Sequence, residues 1–187
     1  MKKNKELLFF SLIFVGLYSC KTENNEPCNI QVAISTLSTP SHPCSATGTI
    51  QITEPIGANY QYKIDSYPFQ NQPIFSNVKV GNHVLVLKDQ NGCETFKKVI
   101  VDTIVVNNTF NQVRQILANR CSSCHSGNNP HAGLDFTNVC DILNHWQRIE
   151  ARAVQGIPTP MPQAGFIPQA ERNIIIEWII NGHSYSN

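Results

Sequence analysis

Residues 121–125 read Cys-Ser-Ser-Cys-His. Two thiols three positions apart on one turn can bond to one edge of a flat ligand, and the adjacent imidazole then lies beneath it as a metal ligand. This is the spacing used to attach a haem covalently, with Cys121 and Cys124 as the thioether positions and His125 as the proximal ligand of the iron. Two other chemistries compete. A thioredoxin-like redox pair needs a βαβ context, and this segment follows a helical run. A zinc site needs two further ligands at compatible spacing, for which His131 and His145 are the available residues.

An iron held by His125 has a second axial position, and Met161, His131, His145 and His183 are the candidates. His131 is six residues past His125, too close to reach the opposite face of a haem. His145 falls in a helical run, and His183 follows the last helix stop. Met161 lies 36 residues after His125, far enough for the chain to pass round the haem edge and return. It is the only methionine besides Met1, and it sits among prolines in Gly-Ile-Pro-Thr-Pro-Met-Pro-Gln-Ala-Gly (156–165). Pro158, Pro160 and Pro162 fix φ and lower the entropy lost when the loop is ordered. A stiff loop suits a weak thioether–iron bond, and thioether ligation raises the haem potential.

The elements that must position these residues follow from periodicity. The N-terminus has a basic stretch, Met-Lys-Lys-Asn-Lys-Glu, and an apolar core of about 12 residues, short of the ~20 that span a bilayer. It ends in Leu-Tyr-Ser-Cys, which resembles the lipobox of bacterial lipoproteins, implying that Cys20 is lipidated and becomes the first residue. From about residue 29 to 106 the chain alternates in strand fashion or runs with β-branched residues, and Pro, Gly and Asn clusters punctuate it. Five to seven short strands predict a small antiparallel sandwich. After Asn107 the pattern turns helical. Thr109 and Gln112 suit a capping box, Gly156 closes a second run, and Pro168 and Gly182 bracket a third.

Two further resemblances extend this reading. Cys-Ser-Ala-Thr-Gly-Thr-Ile-Gln-Ile (44–52), Tyr-Gln-Tyr-Lys-Ile-Asp (60–65) and the stretch closing in Asp-Gln-Asn-Gly-Cys (89–93) resemble the SprB-type repeat, an Ig-like module of bacterial surface proteins. The match covers about 65 residues, although Gly57 stands alone where the family has a glycine pair. In that setting Cys44 is expected to pair with Cys93, and Cys28–Cys93 is the competing bridge. Cys140, in an apolar helical stretch, is expected to be a buried thiol, with a bridge to Cys28 the alternative that would tie the two domains together. The second resemblance joins the Cys121–His125 motif, Gly133-Leu134-Asp135, Met161-Pro162 and the final helix with Trp178. These resemble short cytochrome c domains of bacterial surface and periplasmic proteins, over about 75 residues from Phe110 to His183. The resemblance implies Met161 as the distal ligand, places Leu134, Pro162 and Trp178 at the haem pocket, and makes Phe110, Leu117, Ile175, Trp178 and Ile179 the candidates for the contact where the first and last helices cross, with core packing the expected role of Trp178. Gln163 and Pro168 depart from the family pattern. Arg120, Arg148 and Arg152 are candidates for the haem propionates, because a guanidinium suits carboxylate pairing.

The expected organisation is a lipoprotein signal peptide (1–19), a tether (20–28), an all-β Ig-like sandwich (29–106) and an all-α cytochrome c-like domain (107–187). The expected function is electron transfer in the cell envelope by a membrane-anchored c-type cytochrome with one covalent haem c. With both axial positions filled by protein it is not expected to be an enzyme. The rival functions are a haem-based sensor and a surface adhesion lipoprotein whose sandwich binds the partner. Expected partners are a redox donor and acceptor, together with the membrane through the N-terminal lipid. The absence of Asp after Cys20 favours the outer membrane, facing the periplasm or the cell surface. The formal net charge of +1 becomes −1 once a leader carrying Lys2, Lys3, Lys5 and Glu6 is removed. A near-neutral chain lacks the electrostatic footprint for nucleic acid. Residues 107–187 hold five Arg, five acidic residues and no Lys, so docking is expected to be apolar around the haem edge.

Overall fold

A computed structural model describes residue 28 and residues 30–187. The leader, Cys20 and the tether up to residue 27 lie outside the described residues. Six strands form two antiparallel sheets. One has the order β1 (Ser35–Thr39), β2 (Gly48–Glu54), β4 (Ile74–Val78), and the other β3 (Tyr60–Ile64), β5 (Gly81–Asp89), β6 (Glu94–Val101). Burial alternates along the strands with the period of two that a pleated strand imposes. Ile50 and Ile52 of β2 meet Tyr62, Leu85, Leu87 and Val101 in one core. The register sets Ile50 opposite Phe75 and Tyr62 opposite Leu87.

Helices follow: α1 (Asn108–Arg120), α2 (Val139–Asn144), α3 (Trp146–Ile149), a π-helical turn (Glu150–Gln155) and α4 (Gln169–Ile180). The cap of α1 is Asn107, not Thr109. Its side-chain oxygen accepts the Phe110 amide at 2.7 Å, and Thr109 falls inside the first turn. Gly156 ends the π turn in the left-handed conformation, with φ +74. Helices α1 and α4 cross and bury Phe110, Val113, Leu117, Ile175 and Trp178.

The expected fold class is overturned. The described residues form a mixed structure, 28% helical and 26% strand, with two three-stranded sheets and four short helices, and not the expected all-α cytochrome c-like domain. The helices do not bury their faces on one another alone. Ile104 and Val106, which follow the last strand, pack into the helical core. Ser41 and Thr103 form a parallel bridge, in which the Ser41 amide donates to Asp102 and the Ile104 amide donates to Ser41. The His42 ring meets Tyr185 at 5.6 Å. The segments at 121–138 and 156–168 are largely loop and turn, the second as its prolines lead one to expect.

The disulfides also differ from expectation. Cys28 pairs with Cys93, and Cys44 pairs with Cys140. A Cys44–Cys93 bridge is excluded by strand geometry. Cys44 lies beside the Ser41–Thr103 bridge, just past the C-terminal end of β6, whereas Cys93 precedes its N-terminal end. The seven steps from Glu94 to Val101 along β6 alone put about 24 Å between those ends, and a disulfide needs Cα atoms within about 7 Å. Cys140 is therefore not a free thiol. It ties α2 to the β1–β2 connection, with 5.4 Å between the Cα atoms.

Candidate functional site

The end of α1 builds the Cys-x-x-Cys-His turn. The Leu117 carbonyl accepts the Cys121 amide at 2.9 Å and the Ser122 amide at 3.1 Å, which closes the helix. The Cys121 carbonyl then accepts the amides of both Cys124 (3.2 Å) and His125 (3.0 Å). One carbonyl thus holds the whole motif in a single tight turn. The next segment is pinned to it: His131 donates to the Cys124 carbonyl at 3.0 Å, and Phe136 donates to the His125 carbonyl at 2.8 Å. The Phe136 ring lies 5.0 Å from the His125 ring.

Cys121, Cys124, His125 and Met161 line one cavity of about 610 Å³. That lies within the ~300–1,000 Å³ of cofactor and small-molecule sites. Leu134, Phe136, Ile149, Ile157, Pro158 and Pro162 supply apolar wall. Met161 arrives on the loop after Gly156, and its amide donates to the Arg152 carbonyl at 2.9 Å. In this loop the peptide bonds before Pro158 and Pro162 are cis.

The four candidate axial residues separate clearly. Met161 and His131 line the cavity. His131 stands 6.3 Å from His125, ring to ring, close beside it on the wall. His145 and His183 do not line it. The His145 Nδ1 lies 2.9 Å from the Asp141 carbonyl, and the His183 ring stacks on Trp146 at 4.4 Å. Among the described residues, no group of three or more His, Cys, Asp or Glu side chains is placed to hold a metal ion, so the zinc arrangement with His131 and His145 is not assembled.

Leu134 and Pro162 line the cavity, whereas Trp178 lies in the helix crossing, the packing contact also expected of it. It is 2% exposed in the α1–α4 crossing, 5.5 Å from the Phe110 ring, and its indole N–H donates to the Ser184 carbonyl. A buried indole needs both apolar neighbours and an acceptor, and the helix crossing supplies both away from the cavity.

Burial pushes the Cys121 thiol up to about 11, with smaller contributions from Cys124 and Glu171. At neutral pH it is a thiol. A disulfide oxidoreductase needs the opposite shift, so Cys121 lacks that activation. Cys121 and Cys124 are free, whereas the other four described cysteines are paired. The Nδ1 of His125 is buried with no hydrogen-bond partner among the described residues.

Arg120, Arg148 and Arg152 all line the cavity, and no carboxylate among the described residues does. Arg120 is already engaged with Glu171 through two hydrogen bonds of 2.8 and 3.0 Å, linking α1 to α4. Arg152 donates from Nη2 to the Thr159 hydroxyl at 3.0 Å, which leaves Arg148 for the cavity. Phe136 and Ile149 were not singled out in the sequence. The alternation Leu134-x-Phe136 was the available signal for the first, and helical period from Ile142 for the second. The residues thus fit a haem by their chemistry: two free thiols, an imidazole and a thioether share an apolar cavity whose charged lining is cationic. Comparison of the chain with models of protein families, with curated proteins and with solved structures gives no match.

Proposed function

We propose that the chain carries one covalent haem c and passes single electrons between a donor and an acceptor protein of the cell envelope, held to the membrane by lipid on Cys20. Cys121 and Cys124 would hold the group through thioether links, with His125 and Met161 at the iron. When bound, the haem supplies a one-electron Fe(III)/Fe(II) couple. The observation that carries the reading is that one cavity gathers both free thiols, His125 and a methionine 36 residues further on.

The remaining residues have definable tasks in this reading. Leu134, Phe136 and Ile149 are buried on the cavity wall and exclude water from it, which makes charge on an enclosed group more costly and favours its reduced, less charged state. Pro158, Pro160 and Pro162 limit the freedom of the loop bearing Met161. Ile157 is 60% exposed and also lines the cavity, so with Pro158 it offers an apolar rim. A partner docking there would gain little from electrostatic steering, given the absence of lysine from residues 107–187.

Visible spectroscopy of the exported, purified protein and of Met161→Ala tests the proposal. The expected result is a covalent haem spectrum in both, with the weak long-wavelength Met–Fe(III) band present in the parent and lost in the variant. A parent without haem, or a variant with the band intact, overturns it. Rapid, complete carbon monoxide binding by the reduced parent would favour the sensor function instead.

A further inference from the structure

We infer that Arg152 is the positioning residue of the Met161 loop, holding the thioether over the cavity by gripping the loop from the π-helical turn. This inference rests on the haem reading above and specifies what keeps its distal side closed. In the π turn the Ala151 carbonyl accepts the amides of both Gly156 and Ile157, the latter at 2.8 Å. The next carbonyl, that of Arg152, is left to accept the Met161 amide at 2.9 Å. The Arg152 side chain reaches the same loop, where Nη2 donates to the Thr159 hydroxyl at 3.0 Å. Its Nε is buried with no acceptor among the described residues. The stem is thus turned in along the cavity wall, away from solvent. Main chain and side chain of one residue therefore hold loop positions 161 and 159. Arg148 lines the same cavity without such a contact, and Arg120 is taken by Glu171.

The side-chain contribution can be separated from the main-chain one, because any substitution at 152 keeps the carbonyl. The haem-loaded, full-length protein is compared with Arg152→Gln, Arg152→Lys and Thr159→Val. Thr159→Val removes the acceptor and leaves residue 152 untouched. Two readouts report on the loop itself: the intensity of the long-wavelength Met–Fe(III) band, and the rate at which the reduced protein binds carbon monoxide. Losing one solvent-accessible hydrogen bond raises the open population by roughly three- to tenfold. Arg152→Gln and Thr159→Val are expected to bind carbon monoxide faster by that factor and to lose band intensity, with haem still attached. Arg152→Lys, which can still donate to Thr159, recovers part of the loss. A parent with the band, and variants that match it in band and rate, overturn this inference alone. A parent without the band overturns the Met161 assignment and this inference with it. Should Arg152→Gln fail to fold, Thr159→Val decides.

Discussion

Gly156→Ala is a sharp test of how the loop is made. Gly156 sits at φ +74, and a Cβ there would stand 2.6 and 2.9 Å from two ring atoms of Phe166. Left-handed backbone costs alanine about 1–2 kcal/mol. The reduced freedom of the unfolded chain returns about 0.4–1 kcal/mol. Phe166 is half exposed and can swing aside, but it then leaves Arg172, whose guanidinium lies 4.6 Å from the ring centroid. That contact is worth about 0.5–1 kcal/mol. The sum is a loss of about 1–2 kcal/mol, or roughly 3–6 °C in Tm for a chain of this size. Gly133 is a matched control, because its φ is +67 and nothing lies within 4 Å of its would-be Cβ. Gly133→Ala should cost the backbone part only. The assay is thermal unfolding followed by circular dichroism, on the two single variants, Phe166→Ala and the Gly156→Ala/Phe166→Ala pair. In the double variant the steric part disappears, so Gly156→Ala should cost about 0.5–1 kcal/mol less than in the parent background. Equal costs in both backgrounds, or a Gly156→Ala protein as stable as the parent, would refute the reasoning.

Other perturbations probe the rest of the structure. Cys140→Ser should free Cys44 as one new titratable thiol and cost about 2–4 kcal/mol, and peptide mapping of the parent should recover Cys28–Cys93 and Cys44–Cys140. Intact stability with no new thiol would refute that pairing. Trp178→Ala should cost about 3–5 kcal/mol by opening the α1–α4 core, whereas Trp178→Phe should cost less and leave the haem spectrum unshifted. A spectral shift in Trp178→Phe would place the indole at the cavity after all. His83 and Asp65 form a pH-dependent pair, 2.7 Å apart. Burial alone lowers the His83 pKa, but the Asp65 carboxylate and the Lys79 carbonyl outweigh it and raise the value. Burial alone raises the Asp65 pKa, but His83 and the Val84 amide outweigh it and lower the value. The His83 contribution is thus complete below its unfolded pKa of ~6.5 and is lost as pH rises through the folded value. The Asp65 contribution is lost as pH falls below ~4. Urea midpoints should show His83→Ala losing roughly 0.5–1 kcal/mol at about pH 5.5 and less at about pH 8.5, and a pH-independent loss would refute the linkage.

Local chemistry was legible in the chain. Periodicity marked the strands around Ile50, Tyr62, Leu85 and Val99 and the helices ending at Arg120 and Ile180, because burial of alternate or every third to fourth side chain leaves a repeat in one dimension. Left-handed positions showed as Gly156 and Gly182, since only glycine adopts them without penalty. The short motif at 121–125 was readable because its atoms meet within one turn. Pairing across the fold was not. Cys44 has a nearer cysteine in sequence at 93 than at 140, yet the length of β6 separates the first two, whereas α2 brings Cys140 to within 5.4 Å of Cys44, Cα to Cα. Sequence distance says nothing about which end of β6 a residue occupies.

The same contrast decides the site. The sequence alone determined which atoms could bind a metal: two thiols, several imidazoles and one thioether, each fixed by residue type. Tertiary structure decided which of them share a cavity. It put Met161 on the wall and turned His145 and His183 to other partners. It sent Trp178 into the helix crossing and made the chain a mixed fold whose helical core takes in residues from beside the sheets. These outcomes depend on how helices and sheets fill one another's space, and packing of that kind joins residues through contacts that no local pattern records.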